Sequence, residues 1–347
     1  MPCIYTSPVG LCDGSAPLSK REHYLPRGLG NFKYDLRLVD KICNKCQGRF
    51  SQVEDVFLHN SPEAFFREMV GQLGRKHHRK KNIFSEPTMG VPPLTIVGKH
   101  ADDKFEILWE LIGEGRCSPL KQLVVMGTND TLRLPFRPGT WTTEKIEKLI
   151  KKQNIGKPKD VMFVSNDPAE TQEMQQLCEA LLPSGTDRDV PLPADGVQME
   201  GQMLAFISPE YLRAVAKIGF HFFLQYFTRF SGLEPEFDAI KRFTYLGEAD
   251  TQRVSVISEN FVLNLRNATL RRWSHLLSAQ ADENGIEARM QFFAGPPVQP
   301  LIWRVLIGKN PSRIIYRESV GYAYVYYDHA MGEYVGERSE LARTRGG

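Results

Sequence analysis

A chain of 347 residues is longer than one hydrophobic core usually sustains, so two or three domains are expected. With 41% hydrophobic and 24% charged residues it has an ordinary globular composition, and no apolar run approaches the roughly 18 residues that span a bilayer. The net charge of +3 is unevenly spread: residues 1–100 hold 15 Lys and Arg against 9 Asp and Glu, the remainder 29 against 32, which suits a polyanionic partner at the N-terminal end.

The opening MPCIYTSPVG lacks the basic start and apolar run of a signal peptide, and a cytoplasmic, membrane-free location is expected. Residues 1–60 are turn-rich and too poor in apolar residues to build a core unaided, a deficit that metal binding commonly offsets. RFSQVEDVFLHN (49–60) reads as a helix, with Ser51 and Glu54 as a capping box and Val53, Val56 and Phe57 as its apolar stripe. Pro62 opens a second helix, and residues 74–93 read as a basic, turn-rich linker. KFEILWELIG, LKQLVVMGT and DVMFVSND read as strands. TTEKIEKLIKKQ is a helix capped by Thr142 or Thr143, and Pro168 opens another. After a loop at 182–196, Ser208 caps the longest helix, with Pro209 at its first position and Gly232 beyond its end. RVSVISENFVLNL, IEARMQFFAG, LIWRVLIG and YAYVYYDH then read as an antiparallel sheet packed on it.

The chemistry concentrates at the start. Four of six cysteines, Cys3, Cys12, Cys43 and Cys46, fall in the first 46 residues, and without an export signal such clustering favours a metal site over disulfides. Cys43 and Cys46 have the two-residue spacing of a zinc knuckle. Cys3 is the natural third ligand, and Cys12, beyond a turn with Pro8 and Gly10, returns as the fourth. Cys117 and Cys178 read as small buried side chains. Glu22 and His23 offer a metal ligand and a general base, and Asp55 and His59, four apart, share one helix face that could hold the same ion.

EHYLPRGLG (22–30) and CNKCQ (43–47) resemble the zinc-containing branch of the HNH endonuclease family, over about one sixth of the chain. The resemblance implies a ββα-metal (His-Me finger) module that hydrolyses phosphodiester bonds in DNA. It implies His23 as the base, Glu22 as a ligand of a catalytic Mg, Mn or Zn ion, and a helix bearing Asp55 and His59 against that ion. Gln47 stands where the family usually has the Asn that orients the histidine, and Thr6 stands where a second CxxC would have cysteine. Both departures leave open a weakened or inactive nuclease.

The expected fold is therefore α+β: a nuclease module at 1–75, a basic linker at 76–95, a small α+β domain at 96–190, and a long helix with a C-terminal antiparallel sheet at 191–347. The expected function is a metal-dependent endonuclease with structural zinc at the cysteines. The alternative is a zinc-containing nucleic-acid-binding or regulatory protein that does not cleave. Arg75, Lys76, Arg79, Lys80 and Lys81 are candidate phosphate contacts on double-stranded DNA, with His77 and His78 left out of any metal site. Lys217 and His221 share a face of the long helix, as do Arg213 and Lys217, and read as structural. Arg271 and Arg272 could clamp nucleic acid, while Trp273 reads as core. Oligomeric state stays open.

Overall fold

The structure, a computed structural model, describes residues 2–6, 10–19, 22–32, 36–69, 83–84, 89, 93–99, 106–113, 116–136, 139–165, 168–182, 201–248, 250, 252–258, 273–294, 301–309, 318–330 and 333–345. Short 3-10 turns at Ile4–Thr6 and Arg27–Leu29 precede β1 (Asn31–Phe32), α1 (Asn44–His59) and α2 (Pro62–Met69). Then come β2 (Thr95–Lys99), β3 (Glu106–Gly113), β4 (Arg116–Pro119), β5 (Gln122–Gly127), β6 (Thr131–Pro135), α3 (Thr143–Lys152), β7 (Pro158–Val164), α4 (Pro168–Leu181) and β8 (Gly201–Leu204). The chain continues with α5 (Pro209–Tyr226), α6 (Asp238–Leu246), β9 (Val254–Ile257), β10 (Ser274–Asp282), β11 (Gly285–Ala294), β12 (Ile302–Gly308), β13 (Glu318–Ala330) and β14 (Glu333–Arg345). This is a mixed α+β fold. Among the described residues no helix is long and apolar enough to cross a membrane.

Two compact units emerge. One comprises Met1–Ile83, Pro87–Pro92 and Phe206–Gly347; the other comprises Phe84–Glu86 and Pro93–Ala205. The first differs from the expected division, because residues 1–75 do not stand apart from the C-terminal part. Tyr5, Phe50 and Phe57 share one core with Phe220, Phe223 and Phe292. The reason is the deficit noted above: a segment too small for its own core borrows one. In the second unit, β8 brings residues 201–204 beside β2, so the expected boundary at 190 also moves.

In the first unit a seven-stranded sheet runs β1-β14-β13-β10-β11-β12-β9, antiparallel throughout except where β1 meets β14. Apolar residues alternate along β11 and β12, and their inner face receives α5. Contact is close at Gly219, where an added Cβ would lie 3.2 Å from both Ala288 Cβ and Met290 Cε. Ser208 Oγ accepts from Tyr211 N at 3.1 Å, as the capping pattern predicts, but α5 ends at Tyr226 and Gly232 lies beyond a further turn. The second unit pairs a β4-β3-β2-β8 sheet with a β6-β5-β7 sheet, the latter covered by Ile146 and Ile150 of α3 and Met174 of α4.

Helix α1 begins seven residues earlier than its expected cap. Ser51 is inside the helix, its hydroxyl bonded back to Gly48 O at 2.8 Å, and the extended Cys43 is the N-cap residue. The missing signal was tertiary: Cys43 is held by Leu18 opposite it and by Asn44 N donating to Pro17 O at 3.0 Å.

Candidate metal centre and its buried neighbour

The four N-terminal cysteines converge. Cys3 leads into the first 3-10 turn, which is tied down by Ile4 N donating to Lys41 O (2.8 Å) and Cys12 N donating to Tyr5 O (3.0 Å). Those bonds bring both cysteines against the start of α1, where Cys43 and Cys46 wait. All four are buried, all four are free thiols, and their sulfurs lie within 4.8 Å of one another. Cys3 and Cys46 are 3.8 Å apart and Cys12 and Cys43 3.4 Å, far beyond a disulfide bond of about 2.05 Å. Tetrahedral zinc with Zn–S of about 2.3 Å needs sulfurs about 3.8 Å apart, so the cluster can hold a metal ion such as zinc. The N-terminus of α1 favours thiolates electrostatically. Contact with Cys46 lowers the Cys3 thiol to about 6, and Cys46 rises in return.

The residues expected around a catalytic ion do not converge. Among the described residues the four cysteines form the single group of three or more potential ligands. Residues 22–24 and 36–38 meet at an antiparallel bridge, with Tyr24 N donating to Leu36 O and Leu38 N to Glu22 O. Glu22 and Tyr24 are buried and His23 is half-buried, and among the described residues neither Glu22 nor His23 belongs to a group of three potential ligands. Asp55 and His59 do share a face of α1, but they pair with each other, Oδ1 to Nδ1 at 2.9 Å. Gln47 lies in the first turn of α1 rather than a loop, and its amide oxygen accepts from Ser19 Oγ at 2.6 Å instead of orienting His23. Arg75, Lys76, Arg79, Lys80, Lys81, His77 and His78, like Arg271 and Arg272, lie outside the described residues. Trp273 packs against the core, 6.3 Å from Phe66.

Glu22 faces a partner set that sequence alone did not assemble. Lys217 Nζ of α5 lies 2.5 Å from Glu22 Oε1, 2.5 Å from Glu54 Oε1 and 2.6 Å from the His23 carbonyl. His221 Nδ1 is 3.3 Å from the same Glu22 oxygen, and its Nε2 is 3.1 Å from Tyr5 OH, two residues from Cys3. The Lys217 side chain is 1% exposed. Burial alone would raise the Glu22 carboxyl, but Lys217 and His221 hold it at about 2. Burial would lower the Lys217 ammonium, but the two carboxylates keep it raised and charged. Glu54, for which burial outweighs Lys217, is raised. The sequence signal was available: Lys217 and His221 interrupt an apolar helix, and a buried charge requires a counter-charge.

The buried imidazoles give an acid-sensitive fold. Burial lowers His221 to about 4 and His275 to about 3, from an ordinary 6.5. The folded chain therefore binds fewer protons than the unfolded one across that window, so their contribution is full above about pH 6.5 and is lost as pH falls toward 4 and 3. Glu22 adds a loss below its ordinary 4.5, while Glu54 and Glu63, raised by burial, act in the opposite sense. His275 Nδ1 accepts from Phe293 N and its Nε2 faces Leu29 O, so a His275→Gln variant isolates one histidine. Its unfolding free energy should fall less steeply than that of the parent between pH 6.5 and 5, the difference approaching about 1.4 kcal/mol per pH unit. Parallel curves would contradict the assignment.

Comparison of the chain with protein-family models, with curated proteins and with solved structures gives no match.

Proposed function

We propose that this chain carries an HNH-like module, built on a structural zinc at Cys3, Cys12, Cys43 and Cys46, that binds nucleic acid without hydrolysing it. One observation carries this choice over cleavage: the Lys217 ammonium bridges Glu22 and Glu54 in the core. By the family resemblance Glu22 is the carboxylate that would face a divalent cation. Here an internal cation already neutralises it, and a metal ion would have to displace a lysine that also donates to Glu54 Oε1 and to the His23 carbonyl. With Glu22 so neutralised, the base that the resemblance assigns to His23 lacks the metal ion that would supply its electrophile. Support for a nucleic-acid partner comes from charge: 15 Lys and Arg against 9 Asp and Glu in residues 1–100, and the run GRKHHRKK at 74–81.

The purified chain should leave supercoiled plasmid intact with Mg²⁺ or Mn²⁺, yet shift a DNA duplex with an affinity that falls steeply with salt. Metal-dependent nicking that disappears in His23→Ala would instead establish the endonuclease and refute the closed centre.

A further inference from the structure

We propose that the solvent face of α3 and the start of β7, in the second unit, form a phosphate-contact surface for double-stranded DNA; this rests on the nucleic-acid-binding function above. Lys145, Lys148, Lys151, Lys152, Lys157 and Lys159 are all exposed. Residues 143–160 hold these six lysines against Glu144, Glu147 and Asp160. The rest of the unit carries seven Lys and Arg against fifteen Asp and Glu. Positive charge is thus concentrated in one exposed segment of a unit whose remaining sequence is acidic, an arrangement that favours an anionic partner there.

The surface is rigidly built. Ile146 and Ile150 bury the opposite face of α3, so the lysine face must point outward. Ile155 N donates to Ile150 O at 3.0 Å, and Thr128 Oγ1 accepts from Lys157 N at 3.2 Å, which locks the turn from α3 into β7. Lys145, Lys148 and Lys152 follow one helix face over about 10 Å, about three base-pair steps of a duplex.

Partner accounting separates these lysines. Lys145 Nζ donates to Thr140 O at 2.8 Å, and Lys148 interacts with Glu144 one turn earlier. The ammoniums of Lys151, Lys152, Lys157 and Lys159 make no ion pair among the described residues. Lysines in a last helical turn offset the helix dipole, and one on an open strand edge discourages strand pairing. Those roles cover Lys151, Lys152 and Lys159, and leave Lys157 and the concentration of six lysines in one segment unexplained. No exposed aromatic accompanies the lysines for base stacking, which favours duplex backbone over a single strand.

The test uses the full chain and a short labelled duplex, with anisotropy titrations between about 50 and 200 mM salt. Combined Lys148→Gln, Lys151→Gln, Lys152→Gln and Lys159→Gln should weaken binding on the order of tenfold or more at the low-salt end, and reduce the log–log salt slope by about 3. Glu144→Gln with Glu147→Gln should tighten binding, a gain that misfolding cannot produce. If the parent binds and both variants match it in affinity and slope, this surface is refuted while nucleic-acid binding stands. If the parent itself does not bind the duplex, both fail. Loss of binding to anionic phospholipid vesicles, with duplex binding unchanged, also overturns the assignment.

Discussion

Replacing Lys217 with methionine is expected to destabilise the first unit by about 3–5 kcal/mol, because it leaves two inward-facing carboxylates without their cation. Methionine fills much of the same volume, so the loss is electrostatic rather than a cavity. Glu22 is 3% exposed and cannot recover by hydration. It must take up a proton, and so must Glu54. Its carboxyl, held at about 2 in the parent, should then rise above its ordinary 4.5. The pH dependence from Glu22 should therefore reverse: the variant gains stability as pH falls from 7 toward 5, where the paired Glu22 of the parent gains none. Adding Glu22→Gln and Glu54→Gln to Lys217→Met should restore most of the loss, since replacing a whole buried ion set is often close to neutral. Hydrogen exchange on peptides of α5 reads this unit separately, which matters because a chain with two compact units need not unfold in one step. A Lys217→Met chain within 1 kcal/mol of the parent at pH 7, with the same pH profile, would mean that the bridge does not hold Glu22.

The second large effect is expected at the cysteines. Structural zinc supplies about 10–16 kcal/mol of apparent folding free energy in zinc-finger peptides, comparable with the entire stability of a typical domain of about 5–15 kcal/mol. Cys43→Ser removes the candidate ligand at the N-cap of α1, and should abolish metal retention and loosen the N-terminal segment as far as the bridge between 22–24 and 36–38. Mass spectrometry of the native chain should find one zinc per parent molecule and none in the variant, with exchange protection lost first around Tyr5 and Phe50. Cys178→Ser, a buried thiol of α4 in the other unit, controls for the loss of any buried sulfur and should retain the zinc. A parent chain that carries no metal after purification in zinc, and whose four thiols all react freely, would remove the basis for the centre. Because Tyr5 connects the cysteine turn to His221, zinc loss should also reach the Glu22–Lys217 pair.

Local patterns were enough for several elements. Ser208 and Pro209 marked the start of α5, Thr142 or Thr143 the start of α3, where Thr142 is the cap, and Pro168 the start of α4, because caps and first-turn prolines act within three or four residues. α6, β10 and β14 carried no equally clear local signal, and their registers depend on partners: β10 pairs Ser278 with Arg289 on one side and with Gly321 on the other. The early start of α1 was likewise set by contacts from residues 17 and 18.

The site divides in the same way. By itself the sequence determined the four-cysteine set, because thiolates clustered in a short, core-poor segment have few other uses. It also supplied Glu22 beside His23 and the distribution of charge. Only the tertiary structure decided which way Glu22 turned. The i, i+4 rule puts Asp55 with His59, but the ammonium that reaches Glu22 comes from a helix 195 positions later. A residue's chemistry is written locally, whereas its partner is chosen by which elements share a core; here α1, residues 24–25 and α5 share one, and that decides that Glu22 meets a lysine.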